Sequence, residues 1–321
     1  MNKHNSSIFN FNHDIIRVFI KLFALFCLSN LIFWVIILPQ YSKGYNAALL
    51  DKMERLQAVD SPKLILVGNS NLAFGIKSEM LEKDLPYQIV NLGLHGGLGN
   101  IFHEEMIRGN INQGDLVVFC YNSFCDDDSI GYELAWTTIE NHFELWKILR
   151  MKDIYGMYRA FPVYLKKAIT LWADDKGNQE AESVYTRSAF NEYGDIAFER
   201  PATIDSLVNI DDVQFPLINN ECIDRLNLLN KYIIEQGAIM VIAGYPILDD
   251  GSGSSEDKYM EFQNELEELV DCPVISDYID YFFDRSYFYN TCLHLTDKGA
   301  ARRTQQLIND INTWMEQENI H

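Results

Sequence analysis

Five short, mostly apolar runs recur along the chain: Leu64–Val67, Gln88–Leu92, Leu116–Tyr121, Ala238–Ala243 and Pro273–Ile275. A run with almost no polar position reads as a strand buried on both faces, the environment of a parallel sheet. Helical spacing lies between several of them, at Ile101–Arg108, Glu221–Gln236, Tyr259–Val270 and Asp297–Met315. Strands that alternate with helices imply βαβ units, and hence a three-layer, flavodoxin-like α/β fold with about five parallel strands. The alternation breaks between residues 129 and 215. That stretch is aromatic and helical at first, then polar around Asp174–Glu199, and is expected to form a helical insertion and surface loop after the third strand. Its aromatic stripe packs on the sheet, covers the site, lines a cleft for sugar rings or touches a bilayer. "DDGSGSSEDK", from Asp249, reads as a flexible loop.

The amino terminus constrains location. "LFALFCLSNLIFWVIIL", Leu22 to Leu38, contains no charged residue, and Ile15–Ile20 extends it with only Arg17 inside. Counted from Val18 the run reaches the roughly 20 residues that cross a bilayer, with Lys21 able to snorkel. Trp34 falls where aromatic side chains favour the interface, and Pro39 ends the helix. A cleaved signal peptide has a shorter apolar core and a small-residue cleavage site, and no such site follows Pro39, so an uncleaved single-pass anchor is expected. Lys3, Arg17 and Lys21 outweigh Asp14 before it, whereas Asp51 and Glu54 offset Lys43 and Lys52 after it, which favours a cytoplasmic N-terminus. The expected order is a cytoplasmic tail (1–14), a membrane anchor (15–39), a helical stem (40–60) and an extracytoplasmic α/β domain (61–318).

Charge and motif spacing exclude several functions. A formal net charge of -20 with no basic patch argues against nucleic-acid binding. The six cysteines show no paired C-x-x-C spacing, so no metal site is expected. The glycine-rich "VNLGLHGGLGN", Val90 to Asn100, does not fit G-x-G-x-x-G, and no cofactor is expected.

Four stretches place chemistry at the carboxyl ends of strands, where open α/β sheets bind ligands. In "KLILVGNSNLAFGI", Ser70 sits just past the first strand; alternatively Asn69, Ser70 or Asn71 caps the next helix. The glycine-rich turn after the second strand can bring a backbone N–H close to a ligand. Asn122, after the third strand, can donate to an oxyanion or cap a turn. His294, in "YNTCLHLTDKG", precedes a helix start at Thr296 and is placed to reach a serine after the first strand.

At these residues the chain resembles the SGNH/GDSL hydrolase superfamily, from about Ser61 to Thr304. More narrowly, "GNSNLAFGI", "NLGLHGGLG" and "LHLTDKGAARRT" resemble a membrane-anchored branch associated with bacterial cell-surface polysaccharides. The resemblance implies Ser70 as nucleophile, His294 as base, and an oxyanion hole formed by Ser70, Gly96 (Gly93 as the alternative) and Asn122. Asn69 stands where a GDS-type member has Asp. The family's D-x-x-H acid falls on Thr291, or on Asn290 at the spacing one residue longer, and neither is a carboxylate. Asp284 and Asp297 lie nearby without matching the motif. The implied function is a serine-dependent esterase or O-acyltransferase acting on acyl, notably acetyl, groups of an extracytoplasmic glycan or a small ester. The alternative is a catalytically degenerate protein that binds such a polysaccharide or assists its assembly.

Overall fold

The computed structural model describes residues 5–125, 129–140, 142–177, 183–202, 215–249 and 254–320. Helix α1 (Asn5–Ile32) continues through a π-helical turn, Phe33–Ile37, and Ile15–Ile37 is long and apolar enough to cross a membrane. Then follow α2 (Ala48–Ala58), β1 (Lys63–Val67), α3 (Ser70–Gly75), α4 (Ser78–Asp84), β2 (Gln88–Asn91), α5 (Asn100–Ile107) and β3 (Leu116–Phe119). The insertion supplies α6 (Tyr132–Ile139) and α7 (Asp153–Ala173). The chain then returns through α8 (Asn220–Glu235), β4 (Ile239–Ile242), β5 (Ile247–Leu248), α9 (Ser254–Leu269), β6 (Phe282–Phe283), β7 (Phe288–Thr291), β8 (His294–Leu295) and α10 (Asp297–Glu318).

The main sheet is parallel, in the order β2-β1-β3-β4. All five residues of β1 are buried, and alternate side chains feed opposite layers. Ile65 and Val67 face the cluster built with α2, α5 and α8, while Leu64 and Leu66 face the one built with α4 and α10. This period-2 partition gives a strand between two helical layers its continuous apolar sequence. On α10, Leu307, Ile308, Ile311, Trp314 and Met315 return at helical spacing to cover the second face.

Three expectations are refined. The fifth strand, Pro273–Ile275, reduces to one parallel bridge between Ile242 and Val274, because the chain leaves the edge after two hydrogen bonds. The stem is part of the domain: Leu49, Met53 and Leu56 of α2 are buried in the core, and the Lys52 ammonium donates to the carbonyls of Asn91 and Gly194. Of the expected loop after Asp249, residues 250–253 lie outside the described residues, and Ser254 already begins α9.

The insertion is tied down at both ends. Glu140, in left-handed backbone (φ 22°), accepts hydrogen bonds from the Gln40 and Tyr41 N–H groups just past the apolar N-terminal helix. Burial pushes its carboxyl up to about 7. On the return leg, Asp195 accepts from the Ser78 N–H and hydroxyl and from the Asn91 amide.

Candidate active site

β1 delivers the chain to the carboxyl edge of the sheet, and Asn69 turns it into α3. The Asn69 side chain accepts from the Asn71 N–H (3.0 Å), so the capping residue is Asn69 and Ser70 is the first residue of the helix. One tetrapeptide thus holds a cap and the hydroxyl beside it. The turn is fixed from two further sides. The Asn71 amide donates to the Cys120 carbonyl beyond β3 (3.0 Å), and the fully buried Arg303 of α10 donates to the Asn71 carbonyl and side-chain oxygen (2.7 and 2.9 Å).

His294 comes from the other end of the chain. The antiparallel pair β7 and β8 turns through Cys292 and Leu293, and the Thr291 hydroxyl accepts from the Leu293 and His294 N–H groups. His294 Nε2 lies 2.9 Å from Ser70 Oγ, and His294 Nδ1 lies 2.9 Å from Asn290 Oδ1. Asn290 Nδ2 donates to the Tyr185 hydroxyl at 2.7 Å, which turns its oxygen toward the imidazole. An oxygen there accepts the Nδ1 proton and leaves Nε2 free to accept from Ser70. Of the two motif positions, Asn290 faces the imidazole and Thr291 caps the turn.

Neither nearby aspartate reaches the imidazole. Asp297 accepts from Arg200 and Lys77, and Asp284 caps a short turn through the Ser286 N–H. The ring stacks on Phe74 (centroids 4.0 Å apart, planes within 6°) and is only 8% exposed. Burial pushes the His294 imidazole down to about 3, with the neighbouring His95 and Arg200 acting in the same direction.

On the opposite side of Ser70, Gly96 and Gly93 separate in role. The Gly93 N–H donates to the Asn91 side chain (2.9 Å), and a Cβ there would lie 2.6 Å from Ala73 N, so Gly93 allows close packing of α3. The Gly96 N–H has no partner among the described residues, and a Cβ at Gly96 would lie 3.3 Å from Asn69 Cβ, beside the serine. The Ser70 N–H sits in a first helical turn, where no intrahelical acceptor exists. Asn122 is one hydrogen bond further back: its oxygen accepts from the Asn69 amide at 2.6 Å, which leaves its NH2 as the donor end.

A cavity of about 410 Å³ opens over Ser70, His294 and Gly96. Tyr45, His95 and Tyr185 of its wall also line a cleft of about 470 Å³ that runs past Glu133 and Lys167 of the insertion toward Tyr41. His95, Tyr185, Phe74 and Arg200 were not singled out by sequence. His95 stands inside the glycine-rich turn, where an imidazole was a legible signal. Tyr185 and Arg200 reach the site only because the insertion folds back. Among the described residues no cluster of His, Cys, Asp or Glu is arranged to hold a metal ion.

No family model, curated protein or solved structure matches this chain.

Proposed function

We propose that the protein is a serine-dependent esterase or O-acyltransferase of SGNH/GDSL type, acting on acyl groups, notably acetyl, of a glycan outside the cytoplasmic membrane. The observation that carries the reading is the relay from Ser70 Oγ to His294 Nε2 and from His294 Nδ1 to Asn290 Oδ1, both at 2.9 Å. In the proposed reaction Ser70 Oγ bonds to the ester carbonyl carbon as its proton passes to His294 Nε2. The Ser70 and Gly96 N–H groups and Asn122 stabilise the oxyanion. The leaving alkoxide departs with that proton, giving acyl-Ser70. Water or a sugar hydroxyl then gives its proton to His294 and bonds to the acyl carbon; the Ser70 Oγ–acyl bond breaks and His294 returns the proton to Ser70 Oγ. The adjoining cleft, with three tyrosines, a carboxylate and an ammonium, has the mixed aromatic and polar lining that suits a sugar. In this reading α1 anchors the chain with its N-terminus in the cytoplasm.

A second reading, a glycan-binding protein that has lost turnover, is favoured by one observation: the group on His294 Nδ1 is an uncharged amide. The two readings separate with a fluorophosphonate probe on the full-length chain in detergent. The enzyme reading expects covalent labelling at Ser70 that Ser70→Ala abolishes, with thermal stability changed by no more than about 1 kcal/mol. Absence of labelling and of acetyl-ester turnover in the wild type would support the binding protein.

A further inference from the structure

Helix α7 carries two stripes of identical spacing, displaced by one residue. Asp153, Met157, Ala160, Tyr164 and Ala168 form the stripe buried against the insertion. Ile154, Tyr158, Phe161, Leu165 and Ile169 repeat the same intervals one position later, and Trp172 extends them. The buried stripe accounts for the packing of the helix. In the second, Phe161 and Leu165 are half-buried against the core, but Ile154, Tyr158, Ile169 and Trp172 on either side of them are exposed, Tyr158 by 75%. Outside the membrane helix and its π-helical turn, eight of the sixteen exposed large apolar side chains among the described residues fall between Phe143 and Trp172. Isolated exposed apolar side chains need no explanation, but a continuous stripe does.

Two further observations say what covers it. The second stripe meets the end of the membrane helix through Phe161, which stacks on Trp34 (6.1 Å, planes within 20°), and the buried stripe beside it is joined there too, since the Tyr164 hydroxyl donates to the Leu38 carbonyl. α7 therefore meets the membrane helix at its last turn, the depth at which such a helix passes through the lipid headgroups. Charge agrees. Residues 143–173 carry six basic side chains against two acidic ones in a chain of net charge -20. Arg159 and Lys166 lie beside the outward stripe, and with Lys152 and Tyr155, Arg159 lines a cleft on that flank. Aromatic and aliphatic residues on one side with cations along the margin define a helix that lies in a membrane interface.

We infer that α7 docks in the plane of the membrane surface, its Ile154–Trp172 stripe entering the headgroup region of an anionic bilayer and its cations meeting lipid phosphates. The inference rests on α1 being a membrane anchor and is independent of the chemistry at Ser70. Docking fixes the tilt of the domain and holds the Tyr41 end of the cleft close to the bilayer surface.

The test uses the full-length chain in nanodiscs of phosphatidylcholine with a minority of phosphatidylglycerol. A benzophenone amino acid replaces Tyr158 or Ile169 in turn and, as controls, the exposed Leu228 or Met260. Light should give lipid adducts at 158 and 169 and none at 228 or 260. In the same discs Lys166→Glu should lower the docked-to-undocked ratio at least about fivefold, the factor that one cation contributes at an anionic surface. Absence of adducts at 158 and 169, or equal yields at all four positions, would overturn the inference. Adducts in native membranes to a protein rather than to lipid would overturn it too, and assign the stripe to a membrane-embedded partner. Failure of the nanodisc-embedded chain to retain its α1 anchor would instead strike the reading on which the inference rests.

Discussion

Replacing Asn290 by aspartate should accelerate the proposed reaction, and the geometry bounds the gain. The amide oxygen already lies 2.9 Å from His294 Nδ1, and the Tyr185 hydroxyl already orients it, so the tautomer is correct and only the charge is missing. A unit charge about 4 Å from the imidazolium, at an effective dielectric constant of about 20, is worth about 4 kcal/mol. Asn290 is only partly buried, and desolvating the new carboxylate returns some of that energy. A net gain of about 1.4 to 2.8 kcal/mol corresponds to about tenfold to a hundredfold in kcat/KM on a small acetyl ester. The same change must alter the pH profile. With the imidazole at about 3, His294 stays unprotonated through mild acid, so the wild-type rate of the proposed reaction should be nearly flat there. A carboxylate on Nδ1 raises that pKa, so the variant should acquire an acid limb displaced toward the ordinary histidine value of about 6.5. The assay is kcat/KM from about pH 4 to 8 for wild type, Asn290→Asp, Asp284→Asn and Tyr185→Phe. Asp284→Asn should be silent, because the Asp284 side chain caps its own turn through the Ser286 N–H. Tyr185→Phe should lower kcat more than it raises KM, because the freed amide can rotate its NH2 toward His294. A normally folded Asn290→Asp that shows neither a rate gain nor a shifted acid limb would refute the reasoning.

Asn122→Ala should reduce turnover by roughly 10²–10³-fold, the scale of one oxyanion donor, with KM little changed; a loss confined to KM would assign Asn122 to substrate binding. Acid stability carries a signed prediction from His103, which is fully buried and pushed down to about 4 by that burial. The unfolded imidazole binds a proton near pH 6.5 and the folded one does not, so its contribution is complete above pH 6.5 and is lost as pH falls toward 4. His103→Gln should therefore flatten the decline of unfolding free energy over that window by about 1.4 kcal/mol per pH unit, read from denaturant melts. Glu140, raised to about 7, acts in the opposite sense, and Glu140→Gln should steepen the same decline.

The sheet was legible because each β strand lies between two helical layers, which forces both faces of the strand to be apolar and writes the burial into consecutive residues. Thus Leu64–Val67, Leu116–Phe119 and Ile239–Ile242 could be read directly, and so could the apolar helix Ile15–Ile37, which has the length and hydropathy that a bilayer crossing requires. Ser70, Gly96 and Asn122 fall together for a related reason: residues just past strand ends share one edge of a parallel sheet, however far apart they stand in sequence, whereas His294 reaches that edge from β8 of the separate antiparallel pair. What a strand's neighbours do not impose was not legible. The short fifth strand depended on how long the edge stays paired, and α2 read as a stem because its amphipathic spacing does not name the surface it buries against. The separate roles of Gly93 and Gly96 became visible only when the partners of their N–H groups were known. The orientation of Asn290 was decided by Tyr185, a residue 105 positions away on the insertion, through a single hydrogen bond. Periodicity and strand ends are local in sequence and survive in it, whereas the facing of an amide, the burial of an imidazole and the partner of a buried charge depend on chain segments that only folding brings together.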